Sequence, residues 1–180
     1  MQKQQTGRRD VRILFTSTRG TGHLSPLLPY AFAWLRKGHE VRVAAPEGAT
    51  DVLRRAGLHH VVVGSPSGAA IDAVLERAKG RSPDEITVNF TRGEFADLNP
   101  RAALPTLRQT IADWRPTLIV RESAEFAGAI AAEVAAIPHV RVAVHCGHIE
   151  ERLIGSVEDV IDDHRRDVGL PPDGGENLRK

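Results

Sequence analysis

Short apolar runs alternate with stretches of helical periodicity along most of the chain. The runs lack the strict alternation of half-exposed strands and are typical of parallel strands covered on both faces. They predict five strands, at residues 11–17, 41–45, 60–63, 117–120 and 139–144. Strands that alternate with helices form a parallel sheet with right-handed crossovers. The pattern therefore predicts an α/β fold, a Rossmann-like parallel sheet with helices on both faces.

The ends of two predicted helices are clearly marked. Ser25 suits the N-cap and Pro26 the first position of a helix that ends before Gly38. Ser123 can cap a second helix, whose apolar stripe ends at Pro138. Both helices follow directly after predicted strands, so they fit the alternating pattern.

Residues 64–100 are harder to interpret. Within them, 69–79 has a helical pattern, but 80–100 mixes polar residues, proline, glycine and scattered apolar residues. We therefore expect a long, mobile segment here. A helical stripe returns at 104–114.

The regular pattern suggests one domain with two short extensions. Residues 1–10 are expected to be a disordered leader, 11–168 the Rossmann-like domain, and 169–180 a linker or tail. The run 162–167 mixes acidic and basic residues at helical spacing, which indicates a solvated helix face.

Composition excludes several classes of function. The chain has 180 residues, 26% of them charged, and a net charge of +1, which argues against a protein that mainly binds nucleic acid or anionic lipid. The single cysteine, Cys146, excludes an intramolecular disulfide and fits a cytoplasmic location. No apolar run approaches the roughly 20 residues of a membrane span, and residues 1–10 lack the apolar core of a signal peptide.

Candidate chemistry lies where strands one and four end, since ligands of open α/β sheets bind beyond the carboxyl ends of the strands. After strand one, Gly20, Thr21 and Gly22 lead into a helix, whose N-terminus favours an anion. With Ser25 in the third place, this loop matches the dinucleotide fingerprint only in part, and no acidic residue closes strand two. The loop therefore predicts an anion-binding site, and a dinucleotide-binding domain is a weaker alternative.

His23 and Glu122 are the candidate catalytic residues. His23 stands at the mouth of the helix after strand one, where an imidazole can take a proton near neutral pH. Glu122 ends strand four at the same edge of the sheet and can orient that imidazole. The alternatives are an exposed histidine at a helix start and an acid that complements a helix dipole.

Several separated motifs resemble one family. They are ILFTSTRGTGHLSPLLP at 13–29, GHEVRV at 38–43, RPTLIVRES at 115–123 and IPHV at 137–140. In order and spacing they resemble the N-terminal half of inverting GT-B glycosyltransferases, the family of the UDP-glycosyltransferases and of bacterial enzymes that glycosylate natural products.

The resemblance implies transfer of a sugar from a UDP- or TDP-sugar to a hydroxyl group of a small-molecule acceptor. His23 would be the general base, with Glu122 as its partner, and Gly20, Thr21 and Gly22 would contact the donor diphosphate. No metal or other cofactor is implied. The usual partner is Asp, one methylene shorter than Glu122, which leaves the geometry of the pair open.

Family members also carry a second domain that binds the nucleotide sugar. We therefore expect the donor-binding C-terminal domain to be absent from this chain, which would be inactive alone and would dimerise through the uncovered face. Two alternatives remain, namely a non-catalytic auxiliary module of the same fold and a MurG-like transferase acting on a lipid-linked sugar. The sequence shows no evident basic and apolar membrane face, which a MurG-like transferase would need.

Three further residues are candidates for acceptor binding. His145 and His148 follow strand five, and Ser123 follows strand four. Cys146 lies between the two histidines, but zinc sites usually draw their ligands from two well-spaced pairs. We therefore expect these side chains to line the acceptor pocket or its rim and predict no metal site.

Overall fold

The computed structural model of the protein describes residues 11–180, so the leader predicted at 1–10 lies outside the described residues. Its five strands are β1 (Arg12–Thr16), β2 (Glu40–Pro46), β3 (His59–Val63), β4 (Leu118–Glu122) and β5 (His139–Val142). All pair in parallel, in the order β3-β2-β1-β4-β5. The strand order reverses between β1 and β4, which places the ligand crevice there. The predicted Rossmann-like fold is confirmed.

Helices cover both faces of the sheet. They are α1 (Thr21–Leu24), α2 (Leu28–Arg36), α3 (Thr50–Arg55), α4 (Gly68–Ala78), α5 (Pro83–Phe90), α6 (Asn99–Trp114), α7 (Phe126–Val134), α8 (Gly147–Gly155) and α9 (Glu158–Asp167). On one face Leu14 belongs to a core with Leu107 and Ile130. On the other, Phe15 belongs to a core with Leu27. Within residues 11–180 no helix is long and apolar enough to cross a membrane.

The first helix begins earlier than the sequence predicts. It starts at Thr21, and Ser25 lies in a 3-10 turn that joins α1 to α2. Gly20 makes the early start possible, because its φ of +105° is a conformation that glycine adopts readily. Its carbonyl accepts hydrogen bonds from the backbone N–H groups of His23 and Leu24. The sequence prediction recognised the glycine-rich turn but placed the helix start too late, because it relied on the Ser-Pro pair.

The prediction of a long mobile segment at residues 64–100 is wrong. Helices α4 and α5 occupy it, and a π-helical stretch, Thr91–Leu98, continues directly into α6. Ser82 begins α5 with a capping box, in which the Ser82 hydroxyl accepts from the Glu85 N–H and the Glu85 carboxylate accepts from the Ser82 N–H. These local signals, together with packing, order the segment.

The C-terminal residues 169–180, expected as a linker or tail, pack against the sheet. Leu178 is buried, and its carbonyl accepts a hydrogen bond from the fully buried Arg121 guanidinium. The side chain of Asn177 lies 3.0 Å from the ring of His139. This segment therefore covers one face of the sheet.

The charged run 162–167 is only partly solvated. His164 and Arg165 are buried, and the Arg165 guanidinium pairs with Glu133 of α7 and, at 3.1 Å, with Asp173. The predicted solvated face is wrong for these two residues, because α9 packs against α7 and the stretch Thr91–Leu98.

Candidate active site

Helix α1, which follows β1, and the end of β4 bring His23 and Glu122 together. Nδ1 of His23 lies 3.1 Å from Oε1 of Glu122. The Glu122 side chain is fully buried, whereas 19% of the His23 side chain is exposed. The ring N–H is not aligned with the carboxylate in this structure, and catalytic hydrogen bonds often become aligned only when substrate binds. Because Nδ1 faces Glu122, Nε2 is the nitrogen available to a ligand.

Three further donors hold the Glu122 carboxylate in place. The hydroxyl and the backbone N–H of Thr18 donate to Oε1 at 2.7 and 3.3 Å, and the backbone N–H of Ala124 donates to Oε2 at 2.6 Å. Burial alone would raise the pKa of Glu122, but the hydrogen bonds from His23, Thr18 and Ala124 outweigh burial and lower it. Glu122 is therefore an ionised, fixed carboxylate at neutral pH.

The pKa of His23 responds to two opposing influences. Burial lowers it, while the hydrogen bond and charge of Glu122, together with the charge of Glu94, raise it, and the net shift is upward. An imidazole whose charged form is stabilised in this way can accept a proton from a bound hydroxyl group.

The π-helical stretch Thr91–Leu98 forms a wall of the site that the sequence did not reveal. The ring of Phe95 lies 5.2 Å from the His23 ring, centroid to centroid. Glu94 is fully buried and pairs with Arg19 of the glycine-rich loop. The capping box of α5 was the sequence signal that could have placed this stretch in ordered structure.

A cavity of about 380 Å³ opens beside His23. Most of its walls are apolar, and they come from α1, α4, α5, α8, the π-helical stretch and the loops after β4 and β5. The lining residues are His23, Leu75, Ile86, Thr87, Phe90, Thr91, Phe95, Ala124, His145 and Leu153. A histidine at the wall of an apolar cavity suits proton transfer from a mostly apolar ligand that carries a hydroxyl group.

The residues predicted to bind acceptor fall in different places. His145 lines the cavity, with its ring 6.5 Å from the His23 ring. Ser123 lines a small adjoining hollow, and its hydroxyl accepts a hydrogen bond from the Val144 N–H. His148 is exposed on α8 and is not among the residues of the cavity wall.

The glycine-rich loop faces a second cavity, of about 400 Å³, beyond the carboxyl ends of β1, β2 and β3. Gly20 and Thr21 line it together with Arg19, whereas Gly22 does not. Space beside Gly22 is open, since a methyl group added there would meet no atom within 4 Å.

Glu125 is a second buried carboxyl close to Glu122. It begins α7, where it accepts hydrogen bonds from the Gly128 N–H and the Thr16 hydroxyl. Burial raises the pKa of Glu125 to about 7, and the charge of Glu122 adds to this rise. A methyl group on Gly128 would overlap both the Glu125 carboxyl and the Thr16 hydroxyl, so both buried side chains would have to shift.

Within the described residues, His, Cys, Asp and Glu side chains do not gather in groups of three or more that could hold a metal ion. Cys146 is a free, exposed thiol.

Comparison with known proteins agrees with this geometry. A family model described as erythromycin biosynthesis protein CIII-like, N-terminal domain, matches residues 32–167. The 3-alpha-mycarosylerythronolide B desosaminyl transferase of Saccharopolyspora erythraea is 29% identical, over 87% of this chain and 42% of its own length. The chain therefore spans less than half of this relative.

Solved structures also match most of this chain, and the match covers less than half of their own length. The glycosyltransferase SnogD from Streptomyces nogalater is 26% identical with a TM-score of 0.71, and the similarity covers 91% of this chain and 43% of SnogD. The Streptomyces sp. SF2575 glycosyltransferase SsfS6, complexed with thymidine diphosphate, is 23% identical with a TM-score of 0.70, over 90% of this chain and 46% of SsfS6. The fold is that of one half of a GT-B glycosyltransferase. The chain belongs to the family of erythromycin biosynthesis protein CIII-like N-terminal domains.

Proposed function

We propose that this chain is the acceptor-binding half of an inverting glycosyltransferase that transfers a sugar from a nucleoside diphosphate sugar to a hydroxyl group of a natural product. One observation carries the proposal. His23, paired with the buried carboxylate of Glu122, stands at the wall of an apolar cavity at the switch point of the sheet. A purely structural module would gain nothing from this pair.

In the proposed reaction, Nε2 of His23 accepts the proton of the acceptor hydroxyl as its oxygen attacks the anomeric carbon. The bond between that carbon and the diphosphate breaks, the nucleoside diphosphate leaves with the electron pair, and the configuration inverts. A positioned base typically contributes about 10²–10⁴-fold to the rate of such a step. Glu122 remains ionised and stabilises the imidazolium that forms.

The acceptor is proposed to occupy the cavity beside His23. Leu75, Ile86, Phe90 and Phe95 supply apolar contact area for a polyketide-like aglycone. His145 and Ser123 are proposed to contact its polar groups from the side of β5 and β4. His148, exposed on α8, is proposed to act only at the rim.

The donor is proposed to bind mainly to a separate donor-binding domain. The thymidine diphosphate bound to SsfS6 favours a TDP-sugar. Gly20, Thr21 and Gly22 are proposed to offer backbone N–H groups to its diphosphate. Neither a metal nor another cofactor enters this proposal, and a cytoplasmic location fits the free thiol of Cys146.

Binding of aglycones to the 180-residue chain tests the proposal. Isothermal titration would use a tetracyclic aromatic polyketide and a macrolactone, each bearing free hydroxyl groups. Leu75 and Val52 make a matched pair, because 43% of Leu75 and 42% of Val52 is exposed, and they line the first and the second cavity respectively. We expect Leu75→Glu to abolish binding and Val52→Glu to preserve it. Equal effects of the two substitutions, or no binding by the parent chain, would contradict the proposal.

A further inference from the structure

An ion pair joins the glycine-rich loop to the wall of the acceptor cavity. Nε of Arg19 lies 2.6 Å from Oε1 of Glu94, and Nη2 lies 3.1 Å from Oε2, a bidentate arrangement. The Glu94 side chain is fully buried, whereas 49% of the Arg19 side chain is exposed. Arg19 is thus the one partner that solvent reaches.

The pair joins the two segments that flank the proposed base. Arg19 precedes His23 in the same loop-to-helix turn, and Glu94 precedes Phe95, whose ring centroid lies 5.2 Å from that of the His23 ring. Each partner therefore anchors a segment that packs on the imidazole.

Three titratable groups face His23 from three elements. Glu122 approaches from β4, the charge of Glu94 acts from the π-helical stretch, and the His145 ring lies 6.5 Å away after β5. Arg19 is paired with Glu94. Two carboxylates near one imidazole both favour its protonated form. A general base must lose that proton near neutral pH, so one of the two charges needs compensation.

We infer that Arg19 and Glu94 form a positioning pair that sets the proton affinity of His23 and seats Phe95 against its ring. The inference deepens the proposed function, on which its catalytic meaning rests. Glu94 supplies negative charge that favours the imidazolium formed during transfer, and Arg19 offsets part of that charge. The forked guanidinium also fixes the Glu94 carboxylate in one orientation, which a lysine ammonium does not do.

The pair predicts shifts of opposite sign in the titration of His23. The experiment is an NMR titration of histidine ring signals in the 180-residue chain, with His23→Gln identifying the signal. Glu94→Gln leaves the Arg19 charge unopposed and should lower the pKa of His23. Arg19→Gln leaves the Glu94 charge unopposed and should raise it. The double variant should return the pKa close to the parental value, because the two charges act on His23 as a unit.

Arg92→Gln is the matched control. Arg92 anchors the same π-helical stretch through Asp159 of α9, with two contacts of 2.7 Å. If Arg19 and Glu94 only hold this stretch in place, all three single substitutions should shift the His23 signal in the same direction. Shifts of one sign, or no shift in Glu94→Gln, would overturn the inference. If Arg19→Gln fails to fold, the direction of the His23 shift in Glu94→Gln, compared with that in Arg92→Gln, still tests the inference.

The titration is independent of turnover. If the NMR shifts appear but the acid limb of the pH–rate profile of the two-domain enzyme does not follow them, the pair sets the pKa of His23 and the proposed base is wrong. If the NMR shifts appear and the acid limb of the pH–rate profile moves with them, both the positioning pair and the proposed base are supported.

Discussion

Glu122→Gln tests the central contact of the site. The carboxylate accepts hydrogen bonds from three donors, namely the Thr18 hydroxyl, the Thr18 N–H and the Ala124 N–H, and Nδ1 of His23 lies 3.1 Å from it. A glutamine side chain has one acceptor oxygen, so its NH₂ group must face either Ala124 or the donors of Thr18 and His23. One buried donor left against another donor costs about 1–3 kcal/mol. We expect the free energy of unfolding at pH 7 to fall by that amount.

The pH dependence of this deficit has a definite sign. The pKa of Glu122 in the folded protein is below its ordinary value of 4.5, so its stabilising effect is present above about pH 4.5 and is lost as the pH falls through the lowered pKa. The deficit should be largest near neutral pH and shrink in acid. Urea unfolding at pH 7 and at pH 4, with Glu122→Asp as the charge-preserving control, measures it. A deficit below about 0.5 kcal/mol at pH 7, or one that grows in acid, would refute this reasoning.

Three further predictions follow from the packing and the length of the chain. Gly128→Ala should lower the unfolding free energy by about 2 kcal/mol or more, since the added methyl overlaps Glu125 and Thr16; an unchanged urea midpoint would contradict this. The 180-residue chain alone should transfer no sugar, because it spans only 42% of the desosaminyl transferase; turnover of a TDP-sugar by the purified chain would contradict that. Light scattering should detect dimers that bury Leu75 and Ile86, which are exposed at the wall of the cavity; a monomer at high concentration would count against it.

The sequence predicted the sheet and the proximity of His23 and Glu122 because both depend on local patterns. Apolar runs mark parallel strands directly, and the ends of β1 and β4 must meet at one edge of the sheet. His23 and Glu122 could therefore be paired from their positions alone, and the structure places them in contact.

The walls of the site could not be predicted in the same way. The stretch Thr91–Leu98 contains few apolar residues and a glycine, and it becomes helical through contacts with α4, α5 and α9. The burial of Glu94 depends on Arg19, 75 residues away in sequence. The sequence likewise predicts Arg165 to be a surface residue, because its partners Glu133 and Asp173 come close to it only in the folded chain. Long-range pairing of charges leaves no periodic signal.

The role of His23 is the central claim, and single-turnover kinetics tests it most directly. The measurement compares His23→Ala with the parent in a two-domain enzyme reconstituted from this chain and a donor-binding domain, at saturating donor and acceptor. If Nε2 of His23 accepts the hydroxyl proton, the rate of sugar transfer should fall by about 10²-fold or more while acceptor affinity changes little. A rate within about threefold of the parent would contradict the assignment of His23 as the general base.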